Sequence, residues 1–268
     1  MRPVQTLFLP LILLVLPTAQ ADTIHLTDGT SIEGVSIKEE TLQGVVYKDG
    51  RTDATVQSNL IRSITFSPMP VLIDRAEAGL DEDQYMGSVA GYEEYIAQTS
   101  SPERKFPWAL NYAYFRVIEL QQTMGKYDAV VAAADRLIEK AGTSRYAPLA
   151  LVKKAEALFD GGKAKEALVA LDALTQMSKS AQLGERWDIE ADLRRVLFDA
   201  RLQGQARIKK LEAISSRAGG MYQSVWGRAE VAIGEALLKN NDQAEAEKVF
   251  RSVLKETGSD RNAMAAAW

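Results

Sequence analysis

The sequence predicts a multidomain, mainly α protein in which a small five-stranded β-barrel precedes a superhelical solenoid of α-helix pairs. Two patterns carry this prediction. Between residues 22 and 67, short segments of alternating apolar and polar residues are joined by Asp-Gly turns, as in β-hairpins. After residue 70, turn signals recur roughly 40 residues apart, which is typical of a helical repeat. A helix pair cannot bury its apolar stripe alone, so neighbouring pairs must stack.

The first 21 residues have the pattern of a secretory signal peptide. Arg2 supplies the positive start, residues 7–16 the apolar core, and Ala19-Gln20-Ala21 a cleavage site of small residues before Asp22. The apolar run is half of the roughly 20 residues that a helix needs to span a bilayer, which disfavours a membrane anchor. We therefore expect cleavage after Ala21, a periplasmic or secreted product, and no stable membrane insertion afterwards.

The composition excludes several classes of site. The chain has 268 residues, a formal net charge of −4 and a pI of about 5.3, and it has no concentrated basic patch, so we expect no nucleic acid partner. It has no cysteine and one histidine, which removes disulfides, thiol nucleophiles and zinc sites built from Cys or several His. That histidine, His25, is out of phase with Ile24 and Leu26, as expected for a plain surface side chain.

No sequence motif indicates catalysis. The chain lacks the glycine-rich phosphate and dinucleotide loops, the nucleophile elbow and the His-Glu-x-x-His motif. Its acidic residues are spaced as on a solvated helix, and its Ser and Thr residues have no basic neighbour that would activate them. We therefore predict that the protein is not an enzyme and that it has no catalytic residue, cofactor or metal site.

Five short strands and one helical turn are predicted in residues 22–67. The strands are Thr23–Leu26, Ser31–Ile37, Leu42–Tyr47, Thr52–Val56 and Ser63–Phe66, with the turn at Asn59–Ile61. Gly34 interrupts the second strand and indicates a bulge. Tight hairpins and a turn before the last strand resemble an SH3-like or Sm-like small barrel. Residues 68–70 contain two prolines that break regular structure, so we place a linker there and expect few contacts across it.

Residues 71–268 resemble the tetratricopeptide repeat (TPR) family. Turn signals stand at Asp83, Gly125, Gly162, Gly204 and Asn241. The family places a small residue, a turn residue, a second small residue and a large apolar one at set positions. Two units match: Ala155, Gly162, Ala167 and Leu171, and later Gly234, Asn241, Ala246 and Phe250. The family unit has 34 residues, so the longer units here imply extended helices or loops. Lys209 takes a small-residue position, so packing there must loosen or shift register.

Eight aromatic residues are concentrated early in the repeats. They are Tyr85, Tyr92, Tyr95, Phe106, Trp108, Tyr112, Tyr114 and Phe115. One interpretation is that they fill the core between the first two units. The other is a peptide-docking surface, since Tyr and Trp are favoured at binding hot spots. We favour the core, with one or two rings left for a partner.

The last repeat is incomplete in this sequence. Ser259-Asp260 would cap a new helix, and residues 262–268 begin one, but the sequence stops at Trp268. Terminal repeats normally present a polar outer face, whereas this end is rich in alanine. Two alternatives follow: the chain is truncated here, or this uncapped end associates with a partner.

The signal peptide and the lack of catalytic motifs predict an exported, non-enzymatic scaffold or adaptor. The TPR resemblance implies that it binds a protein or peptide partner on its concave face, formed by the first helix of each pair. The family's pattern of groove positions, counted back from each turn, implies the partner-binding residues Phe115, Glu119, Gln122, Glu156, Asp160, Arg194, Arg201, Glu235 and Lys239. The early units are acidic and the later ones more basic, which would orient a peptide. Two alternatives stay open: a cell-envelope module whose β-domain binds glycan or peptidoglycan, and the accessory part of an enzyme that continues beyond residue 268.

Overall fold

A computed structural model describes residues 21–80, 84–101 and 103–256. Within them, the N-terminal part is an antiparallel sheet of five strands in the order β4-β3-β2-β1-β5. The strands are β1 Asp22–Leu26, β2 Ser31–Glu40, β3 Gly44–Asp49, β4 Thr52–Gln57 and β5 Ile61–Thr65. A 3-10 turn at Ser58–Leu60 precedes β5. The five predicted strands and the helical turn are confirmed, with their ends shifted by a few residues.

The predicted bulge at Gly34 is also confirmed. Asp22 pairs with Val35, whereas Ile24 pairs with Ile32, so β2 carries one residue more than β1 over this interval. Gly34 adopts a φ of +73°, in the left-handed region that favours glycine.

Ten α-helices follow the sheet in the described part of the chain. They are α1 Val71–Ala78, α2 Tyr85–Gln98, α3 Ala109–Thr123, α4 Tyr127–Ala141, α5 Tyr146–Asp160, α6 Ala164–Ser180, α7 Arg186–Phe198, α8 Gly204–Ala218, α9 Gln223–Lys239 and α10 Gln243–Glu256. Each helix packs against the next one along the chain. Helices α3, α5, α7 and α9 also pack on one another in succession, and we call these four the odd-helix layer.

Four predicted turn residues adopt a left-handed backbone: φ is +67° at Gly125, +78° at Gly162, +58° at Gly204 and +63° at Asn241. At three of them, Gly204 excepted, the hydrogen bonds are the same. The turn residue donates its N–H to the carbonyl three residues back, and the next residue donates to the carbonyl five residues back. These bonds satisfy the last carbonyls of α3, α5 and α9 and give the three helix pairs the same connection.

The unit that turns at Gly204 departs from this pattern. Helix α7 ends at Phe198, and residues 199–203 separate it from α8. Lys209 is exposed, and its neighbour Ile208 takes the buried position. The register shift expected from Lys209 is therefore confirmed, because α8 keeps this ammonium in water and turns the preceding isoleucine inward.

The sheet packs against the N-terminal ends of the odd-helix layer, beginning with α3 and α5. The ring of Phe66, directly after β5, stacks on Trp108 before α3, with centroids 3.6 Å apart. At the next unit, Glu40 of β2 forms an ion pair with Arg145, directly before α5 (Oε2–Nε 3.4 Å).

The same arrangement continues at α7 and α9. Nη1 of Arg186 donates to the carbonyl of Ile61 at 2.7 Å. The backbone N–H of Gln223 donates to the carbonyl of Thr27 at 3.0 Å. The sheet thus contacts four successive helix starts, and its apolar residues join those of the first repeats in one core. The expected scarcity of contacts across residues 68–70 is not observed, although the domain boundary itself stays a prediction.

Several predictions lie outside the described residues. These are the signal segment before Ala21, the turn at Asp83, and the helix start at Ser259-Asp260 with the end at Trp268. Among the described residues, no helix combines the length and the apolar character that crossing a membrane requires.

Candidate functional site

The early aromatic residues mostly form core, as favoured from the sequence. Five of them are at most 9% exposed: Tyr92, Tyr95, Phe106, Trp108 and Phe115. Trp108 lies between the Phe66 ring and the edges of Phe106 and Tyr112. Phe115, predicted to bind a partner, stacks instead on Tyr146 with centroids 4.9 Å apart. Its ring therefore packs α3 against α5.

Glu119 and Gln122 lie on α3, where both are half-buried and their side chains form hydrogen bonds. Glu119 accepts from Arg116, whose Nη1 lies 2.7 Å from Oε2. The same arginine reaches Glu77 of α1, with Nε 3.1 Å from Oε1. Gln122 donates from Nε2 to Glu156 on α5 at 2.9 Å. Gln122 therefore connects α3 to α5, whereas Glu119 holds Arg116, the residue that connects α3 to α1.

Glu156 connects three helices of the layer. Its Oε1 accepts from Nη2 of Arg194 on α7 at 2.6 Å and from Nε at 3.1 Å. Its Oε2 accepts from Gln122 and lies 3.4 Å from Nζ of Lys153. Burial disfavours the charged carboxylate, but Arg194 and Lys153 outweigh it and hold the pKa of Glu156 below its ordinary value. At neutral pH Glu156 is an ionised carboxylate that α3 and α7 already satisfy.

The network extends to α9 through two residues that the sequence analysis missed. Arg194 is 3% exposed, and its Nη1 lies 3.3 Å from Oε1 of Glu190. Nη2 of Arg228 on α9 donates to both oxygens of Glu190, at 2.6 and 2.8 Å. Both cross-helix Glu–Arg pairs, 156 with 194 and 190 with 228, span 38 residues. That repeated spacing is the sequence signal that would have revealed them.

Asp160, Arg201, Glu235 and Lys239 lie at or beyond the C-terminal ends of α5, α7 and α9, and all four are exposed. Arg201 lies in the α7–α8 turn, because α7 ends earlier than the pattern implied; its side chain is 94% exposed and pairs with Asp199, with Nε 3.4 Å from Oδ1. Burial, and then the charge of nearby Glu156, raises the pKa of Asp160 above its ordinary value. We call these four residues the helix-end surface.

A cleft of about 510 Å³ adjoins the helix-end surface between the ends of α7 and α9. Its lining residues are Leu197, Ala200, Leu202, Gln203, Gly204, Arg207, Ala236, Lys239 and Asn240. Nη1 of Arg207 donates to the carbonyl of Val196 at 3.1 Å, which fixes the guanidinium beside the cleft. The rings of Phe159 and Phe198 stack across α5 and α7 with centroids 4.2 Å apart, and both rings are partly exposed.

His25 bridges three strands of the sheet. Its ring nitrogens lie 3.0 Å from Oγ of Ser31 on β2 and 3.0 Å from Oγ1 of Thr65 on β5. Partial burial, and then the positive charge of Arg62, lowers the pKa of His25 below its ordinary value. A mostly neutral imidazole between two hydroxyl groups serves to tie strands together, and it has no carboxylate partner among the described residues that would orient it for catalysis.

The arrangement thus separates polar side chains that are bonded inside the helical layer from charged side chains that are exposed to solvent. Glu119, Gln122, Glu156 and Arg194 satisfy each other or their neighbours inside the helical layer, whereas the helix-end surface presents charges to solvent beside a partly apolar cleft. The described residues contain no cluster of three His, Asp or Glu side chains that would hold a metal ion. No family model matches the chain, and comparison with curated proteins gives no match.

Proposed function

We propose that the chain is an exported scaffold that binds a protein or peptide partner along the C-terminal ends of its odd-numbered helices. The observation that carries this proposal is the contrast between the two ends of the layer. The sheet covers the N-terminal ends of α3, α5, α7 and α9, whereas the opposite ends of α5, α7 and α9 present exposed charges, partly exposed aromatic rings and a cleft. Exposed aromatic and charged groups around a cleft favour partner binding.

The proposal includes a TPR-like superhelical array preceded by an SH3-like barrel. The same turn geometry after α3, α5 and α9 supports repeated units, as does the succession of contacts within the odd-helix layer. The strand order, with β5 paired to β1 and a 3-10 turn before β5, supports the small barrel. The signal-like residues 1–21 support export to the periplasm or the medium.

The chemistry of the surface favours an extended segment with a defined polarity. Arg207 and Lys239 are the charged residues in the lining of the cleft, and both are positive, so the cleft suits acidic and apolar residues. Asp160, at the end of α5, suits a basic residue. The partner segment therefore runs with its basic end over α5 and its acidic, apolar end over α7 and α9.

A site-specific crosslinking experiment tests this assignment. A photoreactive residue replaces Lys239 in the full-length exported protein, and a matched protein carries it at Lys179, an exposed lysine at the C-terminal end of α6. Irradiation followed by mass spectrometry should yield a discrete adduct with a second protein at position 239 and none at position 179. Equal labelling at both positions, or no adduct at position 239, would contradict the proposal.

A further inference from the structure

A second concave site lies where the sheet meets the α6–α7 turn. Its volume is about 470 Å³, within the range of roughly 300–1,000 Å³ that is typical of small-ligand sites. Its lining residues are Glu39, Thr41, Gln43, Gly44, Val46, Thr55, Gln57, Asn59, Gln182 and Leu183. Side-chain amides and hydroxyl groups dominate this set, and none of these residues is positively charged.

Three amides reach the cleft from separate segments. Gln43 lies in the β2–β3 turn, Gln57 ends β4, and Gln182 lies between α6 and α7. All three are exposed, and their side chains make no hydrogen bond within the described residues. Each amide offers two N–H donors and one carbonyl acceptor. Gln182 adopts a φ of +54° because it ends α6 in the same turn that ends α3, α5 and α9: its N–H donates to the carbonyl of Lys179, and the N–H of Leu183 donates to that of Ser178.

The floor of the cleft is held rigidly between the sheet and the helices. Asn59 is 7% exposed. Nη1 of Arg186 donates to the carbonyl of Asn59 at 3.1 Å. The turn that spans residues 41–44 is closed by Oγ1 of Thr41, which donates to the carbonyl of Gly44 at 3.0 Å and accepts its N–H at 3.2 Å. A ligand would therefore meet a preorganised surface.

We propose that this cleft binds a short neutral saccharide. Hydroxyl groups both donate and accept hydrogen bonds, and so do the three free amides, while the carboxylate of Glu39 adds a strong acceptor. The lack of a cation among the lining residues disfavours phosphate or carboxylate ligands, which need one for tight recognition. This site is separate from the helix-end surface, so it does not depend on the function proposed above.

Two saccharides serve as probes: N,N′,N″-triacetylchitotriose, which carries acetamido and hydroxyl groups, and maltotriose, which carries hydroxyl groups alone. Each is titrated into the ¹⁵N-labelled chain 22–268, followed by NMR. We expect at least one of them to shift the amide resonances of Thr41, Gln43 and Gln182 in a saturable manner. The paired substitution Gln43→Ala/Gln182→Ala should weaken that binding at least about tenfold, through two lost hydrogen bonds. The matched pair Gln176→Ala/Gln205→Ala, at exposed glutamines of α6 and α8, should leave it unchanged.

A neutral peptide of Gly, Ser and Asn serves as the competing probe. Three results would overturn the proposal: no shift of the cleft resonances with either saccharide at concentrations on the order of 10 mM, tighter binding of the peptide than of both saccharides, or equal weakening by the two paired substitutions. The first result uses the unsubstituted chain, so a variant that fails to fold does not weaken the test.

Discussion

The carboxyl group of Glu40 on β2 lies 3.4 Å from Nε of Arg145, directly before α5, and both groups are sealed between the sheet and the helices. The side chain of Glu40 is 0% exposed and that of Arg145 5%. Among the described residues, neither carboxylate oxygen of Glu40 has a hydrogen-bond donor. Burial raises the pKa of Glu40 to about 7, because the opposing attraction of Arg145 only partly offsets the loss of solvation.

The raised pKa of Glu40 predicts that the free energy of unfolding decreases as the pH rises. In the folded chain Glu40 keeps its proton up to about pH 7, whereas in the unfolded chain it releases the proton near its ordinary pKa of 4.5. The stabilising contribution is therefore complete below pH 4.5 and is lost as the pH rises through 7. The free energy of unfolding of the unsubstituted chain, relative to Glu40→Gln, should fall by on the order of 3 kcal/mol over this range.

Urea unfolding at several pH values measures this difference. His25 has the opposite effect, because its lowered folded-state pKa makes the fold less stable as the pH falls below 6.5. Both proteins contain His25, so its contribution cancels in the comparison. A difference between the unsubstituted chain and Glu40→Gln that does not change between pH 4.5 and 8 would show that Glu40 is not buried in this way.

The sheet and the first repeats should unfold together. Arg186 is 6% exposed and donates to the carbonyls of Asn59 and Ile61, which join the sheet to α7. Arg186→Met leaves those carbonyls without a donor and should lower the free energy of unfolding by about 2–4 kcal/mol. Far-UV circular dichroism and the fluorescence of Trp108, at the sheet–helix contact, in a background where the other three tryptophans are replaced by Phe, should give one coincident transition. Two separated transitions would instead support the independent domains expected from the linker at residues 68–70.

Position 234 on α9 must be glycine because the ring of Phe250 on α10 occupies the space that a side chain would need. A Cβ atom at position 234 would lie 2.4 Å from that ring. Gly234→Val should therefore destabilise the fold by about 1–3 kcal/mol through overpacking, and Phe250→Ala should relieve part of that cost in the double variant. Gly87→Ala on α2 is the control, because no atom lies within 4 Å of its Cβ position. Thermal unfolding of the unsubstituted chain, the two single variants and the double variant gives the coupling energy between positions 234 and 250. Strictly additive effects would mean that the ring does not press on α9.

Glu156 and Arg194 should depend on each other for stability. Arg194→Met leaves the buried carboxylate without its closest partner and should destabilise the fold by about 3–5 kcal/mol. Glu156→Gln/Arg194→Met should cost less than the sum of the single substitutions. A double-mutant cycle in urea measures this coupling, and a coupling energy near zero would mean that the pair is solvated in solution.

Much of the fold follows from local signals in the sequence. Gly125, Gly162 and Asn241 are predictable turns because a left-handed backbone favours Gly and Asn, and Gly34 marks its bulge for the same reason. The docking of the sheet on the helices does not follow, because it depends on contacts such as Glu40 with Arg145 that join distant segments. A single charged residue in a strand or a helix start gives no sign that it will be buried.

The candidate site was likewise predictable only in part from the sequence. Counting from the turns selects residues on the odd-numbered helices and in the turn after α7, and it does not separate exposed charges from paired ones. Glu156 and Arg194 are occupied because each helix meets its neighbour, which no single repeat encodes. Arg201 lies in a turn because α7 ends at Phe198, several residues before Gly204, where α8 begins. In the sequence, Lys209 at a small-residue position is the sign of this irregular unit.

The measurement that tests the central claim most directly is the affinity of the crosslinked partner for a chain with reversed charge on the helix-end surface. Arg201→Glu/Lys239→Glu changes two exposed side chains and should leave the circular dichroism spectrum intact. We expect binding at low salt to weaken about tenfold or more and its salt dependence to decrease, while Lys140→Glu/Lys179→Glu, at the C-terminal ends of α4 and α6, has no effect. An unchanged affinity and an unchanged salt dependence for the first pair would contradict the assignment of this surface to a partner.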